Sequence, residues 1–119
     1  MENRIQRGEV YFIFLDPGFG REIGGYKVRP VVVVSINDIH QKTRIVMVVP
    51  GTTTEVSKPN VVRVDNRRVL KEITFFQCHQ LRAVDQGRMT SPPLGRLSDS
   101  EMQKIESAIS SSLGLDLLL

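Results

Sequence analysis

Residues 31–53 read Val31-Val-Val-Val-Ser-Ile-Asn-Asp-Ile-His-Gln-Lys-Thr-Arg-Ile-Val-Met-Val-Val-Pro-Gly-Thr-Thr53, and the fold follows from how that stretch divides. Val31–Ile36 and Ile45–Val49 are continuous apolar runs of strand length, rich in β-branched residues. Neither alternates with polar residues, which predicts strands buried on both faces at the centre of a sheet. Asn37-Asp38 and Lys42-Thr43 supply turn chemistry between them, and Pro50-Gly51 is expected to end the second run abruptly.

Upstream, Val10–Leu15 is β-branched and aromatic, and Asp16-Pro-Gly-Phe-Gly20 stops it. Gly20–Val28 has the glycines and charges of an exposed loop, closed by Arg29-Pro30. Downstream, Val61–Val64 reads as a fourth strand turned by Asp65-Asn66, and Ile73–Leu81 as a fifth. On that strand Thr74, Phe76, Cys78 and Gln80 face one side and Phe75, Gln77, His79 and Leu81 the other. Pro92-Pro93 forbids a regular helix before Leu94. A helix then begins with Ser98 as N-cap and Glu101 completing a capping box. Met102, Ile105, Ala108, Ile109 and Leu113 form its apolar face, and Gly114 ends it. Five or so strands followed by one amphipathic helix predict a mainly β fold, a small barrel or sandwich with one C-terminal α-helix. Leu115–Leu119 is too apolar for a free tail and is expected to pack on the core or, the favoured choice, to reach a partner subunit.

The chain of 119 residues is one domain's worth, residues 1–119, and is long enough to close a core without disulfides or a structural metal. A lone cysteine, Cys78, excludes an intramolecular disulfide, and His40 and His79 lack metal-site spacing, so neither metal nor cofactor is expected. No apolar run approaches the ~20 residues of a membrane span, and the first residues have no secretory apolar core, so the cytoplasm is the expected location and no membrane partner is expected. Residues 1–97 carry 15 basic and 9 acidic side chains, whereas residues 98–119 carry 1 and 4. A basic body draws polyanions.

Three features bear on chemistry. Arg29 ends a glycine-rich loop at the mouth of a buried strand, where a planar guanidinium is suited to phosphate; the plainer reading is a surface pair with Glu22. Thr52-Thr53-Thr54 follows Pro50-Gly51 at a strand end, where threonines usually do no more than satisfy turn amides. His79 titrates near neutrality and suits proton transfer, although a lone strand histidine is more often structural. Cys78 reads as core. No Walker loop, GxSxG or dinucleotide fingerprint is present.

The order of the pieces resembles the MazF/PemK toxins. The likeness is carried by Arg7-Gly-Glu-Val10, Leu15-Asp-Pro17, Gly20-x-Glu22, Arg29-Pro30-Val31, Val49-Pro-Gly-Thr-Thr53, Cys78-His-Gln-Leu-Arg82 and Gly95-Arg-Leu-Ser98, and it runs from about residue 7 to Gly114. It implies an SH3-like small barrel of the CcdB/MazF/PemK type and a cytoplasmic, homodimeric endoribonuclease restrained by a cognate antitoxin. Metal-independent RNA cleavage, in which the ribose 2′-hydroxyl attacks its own phosphate, needs a base, a cation on the phosphorane and a donor for the 5′-oxygen.

By resemblance, Arg29 stabilises the phosphorane, Thr52 hydrogen-bonds the scissile phosphate, and His79 stands where relatives such as Kid carry an aspartate implicated as base. Arg21, Lys27, Lys58 and Arg82 are candidates for RNA phosphates, with Glu22, Thr53 and Gln80 also along the single-stranded RNA. The sequence departs from the pattern at Ile23, in place of a glutamine, at the inserted Tyr26-Lys27, and at Gln77, in place of an arginine. Two other readings compete: a CcdB-like, non-enzymatic poison of DNA gyrase, and a nucleic-acid-binding barrel whose catalysis has decayed.

Overall fold

In the computed structural model, which describes residues 4–16, 18–23 and 27–115, Val31–Val33, Val46, Val48 and Val49 are buried as expected, whereas Ile36, Ile45 and Met47 of the same two runs are exposed. The chain forms β1 (Glu9–Phe14), β2 (Val28–Val33), α1 (Asn37–Thr43), β3 (Ile45–Thr52), β4 (Val61–Val64), β5 (Thr74–Gln77), β6 (Arg82–Asp85), β7 (Gly95–Arg96) and α2 (Asp99–Leu113). All strand pairs are antiparallel and run in the order β4-β5-β3-β2-β1-β7, with β6 also paired to β3. Val31, Val32 and Val33 are each 0% exposed. Burying one valine side chain contributes about 1.5–3 kcal/mol. An exposed ion pair such as Lys42–Asp38 (3.2 Å) contributes only about 0.2–1 kcal/mol, so the valines dominate.

The two sheet faces bury separate clusters. One joins Val10, Val32 and Val49 to Phe76 and Cys78, and Met102 and Ile105 of α2 cover it. The other joins Tyr11, Ile13, Val31, Val33, Val46, Val48 and Val84 inside the curl of the sheet, with Ile23 of the β1–β2 loop at its edge. Helix α2 begins as its sequence predicts. Glu101 N–H donates to Ser98 Oγ (3.2 Å) and Ser98 N–H to Glu101 Oε1 (2.8 Å), and the helix ends at Gly114. Leu113, counted with the apolar face, is exposed instead, because the last turn lies outside that cluster.

Four sequence expectations need correction. Pro50-Gly51 does not end the strand, since β3 runs on to Thr52. Away from β2, β3 pairs with β6 through Val48 and with β5 from Gly51. Pro50 falls in the gap between them, where a residue without an N–H forfeits no ladder bond.

The presumed turn at residues 37–43 is helix α1, stitched by the Asp38–Lys42 pair across one turn. It buries His40, whose Nε2 donates to Ile5 O (2.7 Å) while Nδ1 accepts from Ser35 Oγ (3.2 Å).

The single strand over residues 73–81 is two, β5 and β6, separated by a 3-10 turn at Cys78–Gln80. The corner is required because β5 serves the end of β3 while β6 serves its beginning. With the short β7 paired to β1, the described residues form seven strands and not five.

The expectation for Leu115–Leu119 lies, from residue 116 on, outside the described residues.

Candidate active site

Arg29 and Thr52 come from distant stretches of sequence and are brought to the same end of adjacent strands. β2 and β3 pair Val33 with Val48, Val32 with Val49 and Val31 with Pro50. Arg29 and Thr52 each lie two residues beyond that last pair, and residues two apart on a strand share a face. Arg29 is half-buried and paired in register with Ile13 of β1. Thr52 is buried, and its Oγ1 accepts from Thr54 N–H (3.1 Å), which leaves the hydroxyl hydrogen to be donated elsewhere.

The neighbouring Gly51 lies so close to β5 that a Cβ there would come within 2.6 Å of Thr74 Cγ2 and 3.0 Å of Phe76 Cδ1. Only glycine lets the strand carrying Thr52 approach its partner this closely. The pairings Gly51–Phe76 and Thr52–Phe75 follow directly.

His79 is exposed on the 3-10 turn and not on a strand as expected. Since β5 runs back along β3, residues beyond Phe76 move away from the Thr52 end, and His79 opens instead onto a neighbouring groove of about 900 Å³. The groove gathers Arg21, Glu22, Lys58, Gln80 and Arg82 with His79, six of the sequence-predicted residues. Lys27 is exposed just ahead of β2. Thr53 lies on a separate depression of about 510 Å³ with Arg63, Arg67 and Phe75.

Inside the groove, Gln80 and Glu22 are occupied in holding the β1–β2 loop. Gln80 Oε1 accepts from Ile23 N–H, and its Nε2 donates to Arg21 O (3.2 Å) and Gln77 Oε1 (3.1 Å). Both amide donors are therefore used within the protein. Glu22 Oε1 accepts from Phe19 N–H (2.9 Å), and Glu22 N–H returns a bond to Phe19 O (3.2 Å). At the loop's root, Arg88 Nη2 donates to Asp16 Oδ2 (2.8 Å) and Nη1 to Phe14 O (3.1 Å). The hydrogen bonds and charge of Arg88, with Arg82 adding to them, hold the Asp16 carboxyl below its usual range.

Cys78 is buried, and that burial pushes its thiol up to about 12, so it is neutral and inert at physiological pH, as a core residue.

Phe19 and Asp16 also line the groove but were not named as site residues from sequence, and Gln77, noted there as standing in place of an arginine, lines it too. For Phe19 the signal was present: an aromatic between Gly18 and Gly20 has no strand or helix neighbours to bury it. Among the described residues, no group of three or more histidine, cysteine or acidic side chains is placed to hold a metal ion, and no helix is long and apolar enough to cross a membrane.

Residues 6–113 match the family described as PemK-like, MazF-like toxin of type II toxin–antitoxin systems. Endoribonuclease EndoA of Bacillus subtilis is 34% identical over 115 residues, covering 93% of this chain and 96% of the relative. Among solved structures, MazF from Deinococcus radiodurans superposes with a TM-score of 0.81 at 18% identity, covering 95% of this chain and 99% of the other. An endoribonuclease in complex with its cognate antitoxin, from a mycobacterial species, gives 0.75 at 26% identity, covering 93% and 96%.

Proposed function

Because the chain belongs to the PemK-like, MazF-like toxins of type II toxin–antitoxin systems, we propose that it cuts single-stranded RNA without a metal ion, by attack of a ribose 2′-hydroxyl on the adjacent phosphate. It is an endoribonuclease toxin, as its EndoA relative is named, and its partner is an antitoxin. The observation that supports the catalytic reading is the strand register, which runs Arg29 and Thr52 toward the same end of β2 and β3. A guanidinium there neutralises the charge that builds on the phosphorane, and the Thr52 hydroxyl hydrogen donates to a phosphate oxygen. Arg21, Lys58 and Arg82 extend positive charge along the groove for the flanking phosphates, and His79 is the group able to take or give a proton near neutral pH. Glu22 and Gln80 act on the RNA indirectly, by setting the loop that walls the groove.

The working form is a homodimer in the cytoplasm. Phe12 and Phe14 of β1 and Val28 of β2 stay 45–53% exposed on one sheet face, an apolar strip that a second copy covers.

The test is digestion of a single-stranded transcript in excess EDTA. The wild type should leave 2′,3′-cyclic or 3′-phosphate ends. Arg29→Ala and Thr52→Val should each lose about 10²–10³ in kcat, the range seen on removing one preorganised donor, while still unfolding cooperatively; Thr52→Val also gives up the bond from Thr54 N–H and should lower its midpoint slightly. Normal turnover by both variants would refute the assignment. His79→Asn should flatten the rate profile near neutral pH, and an unchanged profile removes His79 from proton transfer. Intact RNA accompanied by stalled gyrase would instead favour the gyrase-poison reading.

A further inference from the structure

The geometry points to Phe19 as a stacking platform for one base of the bound RNA, an inference that rests on the ribonuclease reading. Phe19 is 86% exposed, whereas the other exposed large apolar residues are partly covered at 37–63%. Leaving a phenylalanine in water forfeits the gain of burying it, so a free ring on a rigid mount calls for a partner.

The mount is rigid. Phe19 exchanges two hydrogen bonds with Glu22, and Gly20 takes the left-handed φ of +60° that such a tight turn needs. Two residues further on, Gln80 holds Arg21 O and Ile23 N–H to the opposite wall. The ring thus stands at the lip of the groove that also holds Arg21, Lys58, His79 and Arg82.

An aromatic face among cations is what a single strand requires, since bases stack on the ring while their phosphates meet the charges. An acidic protein segment meets cations too, but it brings no run of flat bases to lay against the ring, and the ribonuclease reading supplies a strand that does. RNA is therefore the favoured occupant.

The experiment begins by mapping wild-type cuts in a long single-stranded transcript in EDTA. A short oligonucleotide of the mapped sequence then carries an abasic site at each flanking position in turn. Phe19→Ala should raise KM about 5- to 150-fold with kcat nearly unchanged, the equivalent of about 1–3 kcal/mol for one stacked base. Phe19→Tyr and Phe19→Trp should keep KM near wild type, and Phe19→Leu should behave like Ala. One abasic position should raise KM for the wild type yet add nothing in Phe19→Ala, because both changes delete the same contact.

Several results overturn the proposal: an unchanged KM in Phe19→Ala, full rescue by leucine, or additive effects at every abasic position. So does a variant that loses its dimer on sedimentation, which makes Phe19 a contact between copies. An unchanged KM with weaker inhibition by the cognate antitoxin assigns the ring to that protein. Wild-type protein that leaves the transcript intact brings down the ribonuclease reading itself, a failure visible before any variant is compared.

Discussion

Replacing Gln80 separates the loop's anchorage from the rest of the fold. Gln80→Leu removes three hydrogen bonds, one from Ile23 N–H and two given to Arg21 O and Gln77 Oε1. A net hydrogen bond contributes about 0.5–1.5 kcal/mol. The bond to Arg21 O is exposed, so water replaces much of it, and the other two are only partly buried. The loop should therefore lose about 1–2 kcal/mol of anchorage, a factor of roughly 5–30 in the population of the unpinned state. The assay is hydrogen exchange at the Ile23 amide, which donates to the side chain being removed.

In Gln80→Leu that amide should exchange roughly 5–30 times faster while amides of Val31–Val33 keep their rates, since opening is local. Gln80→Glu retains the acceptor and loses both donors, so Ile23 stays protected while the bonds to Arg21 O and Gln77 are lost. The two variants thus distinguish acceptor from donor functions. Equal Ile23 exchange in wild type and Gln80→Leu would refute the anchoring role. Uniform acceleration across β2 would show the effect to be global.

The Asp16 carboxyl lies below its ordinary 3.8, so its tether to Arg88 contributes above that value and is lost as pH falls through the lowered one. Arg88→Met should return the Asp16 titration, followed by NMR, to its ordinary range; an identical curve removes the tether from the account. Ser98→Ala should destabilise the protein by about 0.5–2 kcal/mol in urea unfolding, because it deletes the cap of α2, and an unshifted midpoint would leave the cap without energetic weight. Cys78, with its thiol raised to about 12 by burial, should resist a thiol reagent at pH 8 in native protein and react once unfolded. Rapid native labelling would contradict its burial.

What the sequence revealed and what it hid have a common cause. Val31–Val33 and the face of α2 were legible because burial on both faces leaves an unbroken apolar run and burial of one helical stripe leaves a periodic mark. The capping box at Ser98 and Glu101 was legible because its spacing is local. The corner at Cys78–Gln80 was hidden because β5 and β6 meet different halves of the same edge of β3, and nothing in Ile73–Asp85 announces which half each will meet. Pro50 misled for the same reason, its tolerance depending on a gap between two distant strands.

At the site, Arg29 and Thr52 were named through family likeness, and the register carries them to the same end of β2 and β3. The service of Gln80 to the loop was hidden because it rests on a contact 57 residues apart, and that of Glu22 because a three-residue turn carries no periodic pattern.

The cluster that unites Val10 with Met102 and Ile105 has a temporal meaning for a nuclease made on a ribosome. A nascent chain lacking α2 leaves Val10, Val32 and Phe76 without their cover, so that side of the core closes only once the helix has been made and can dock.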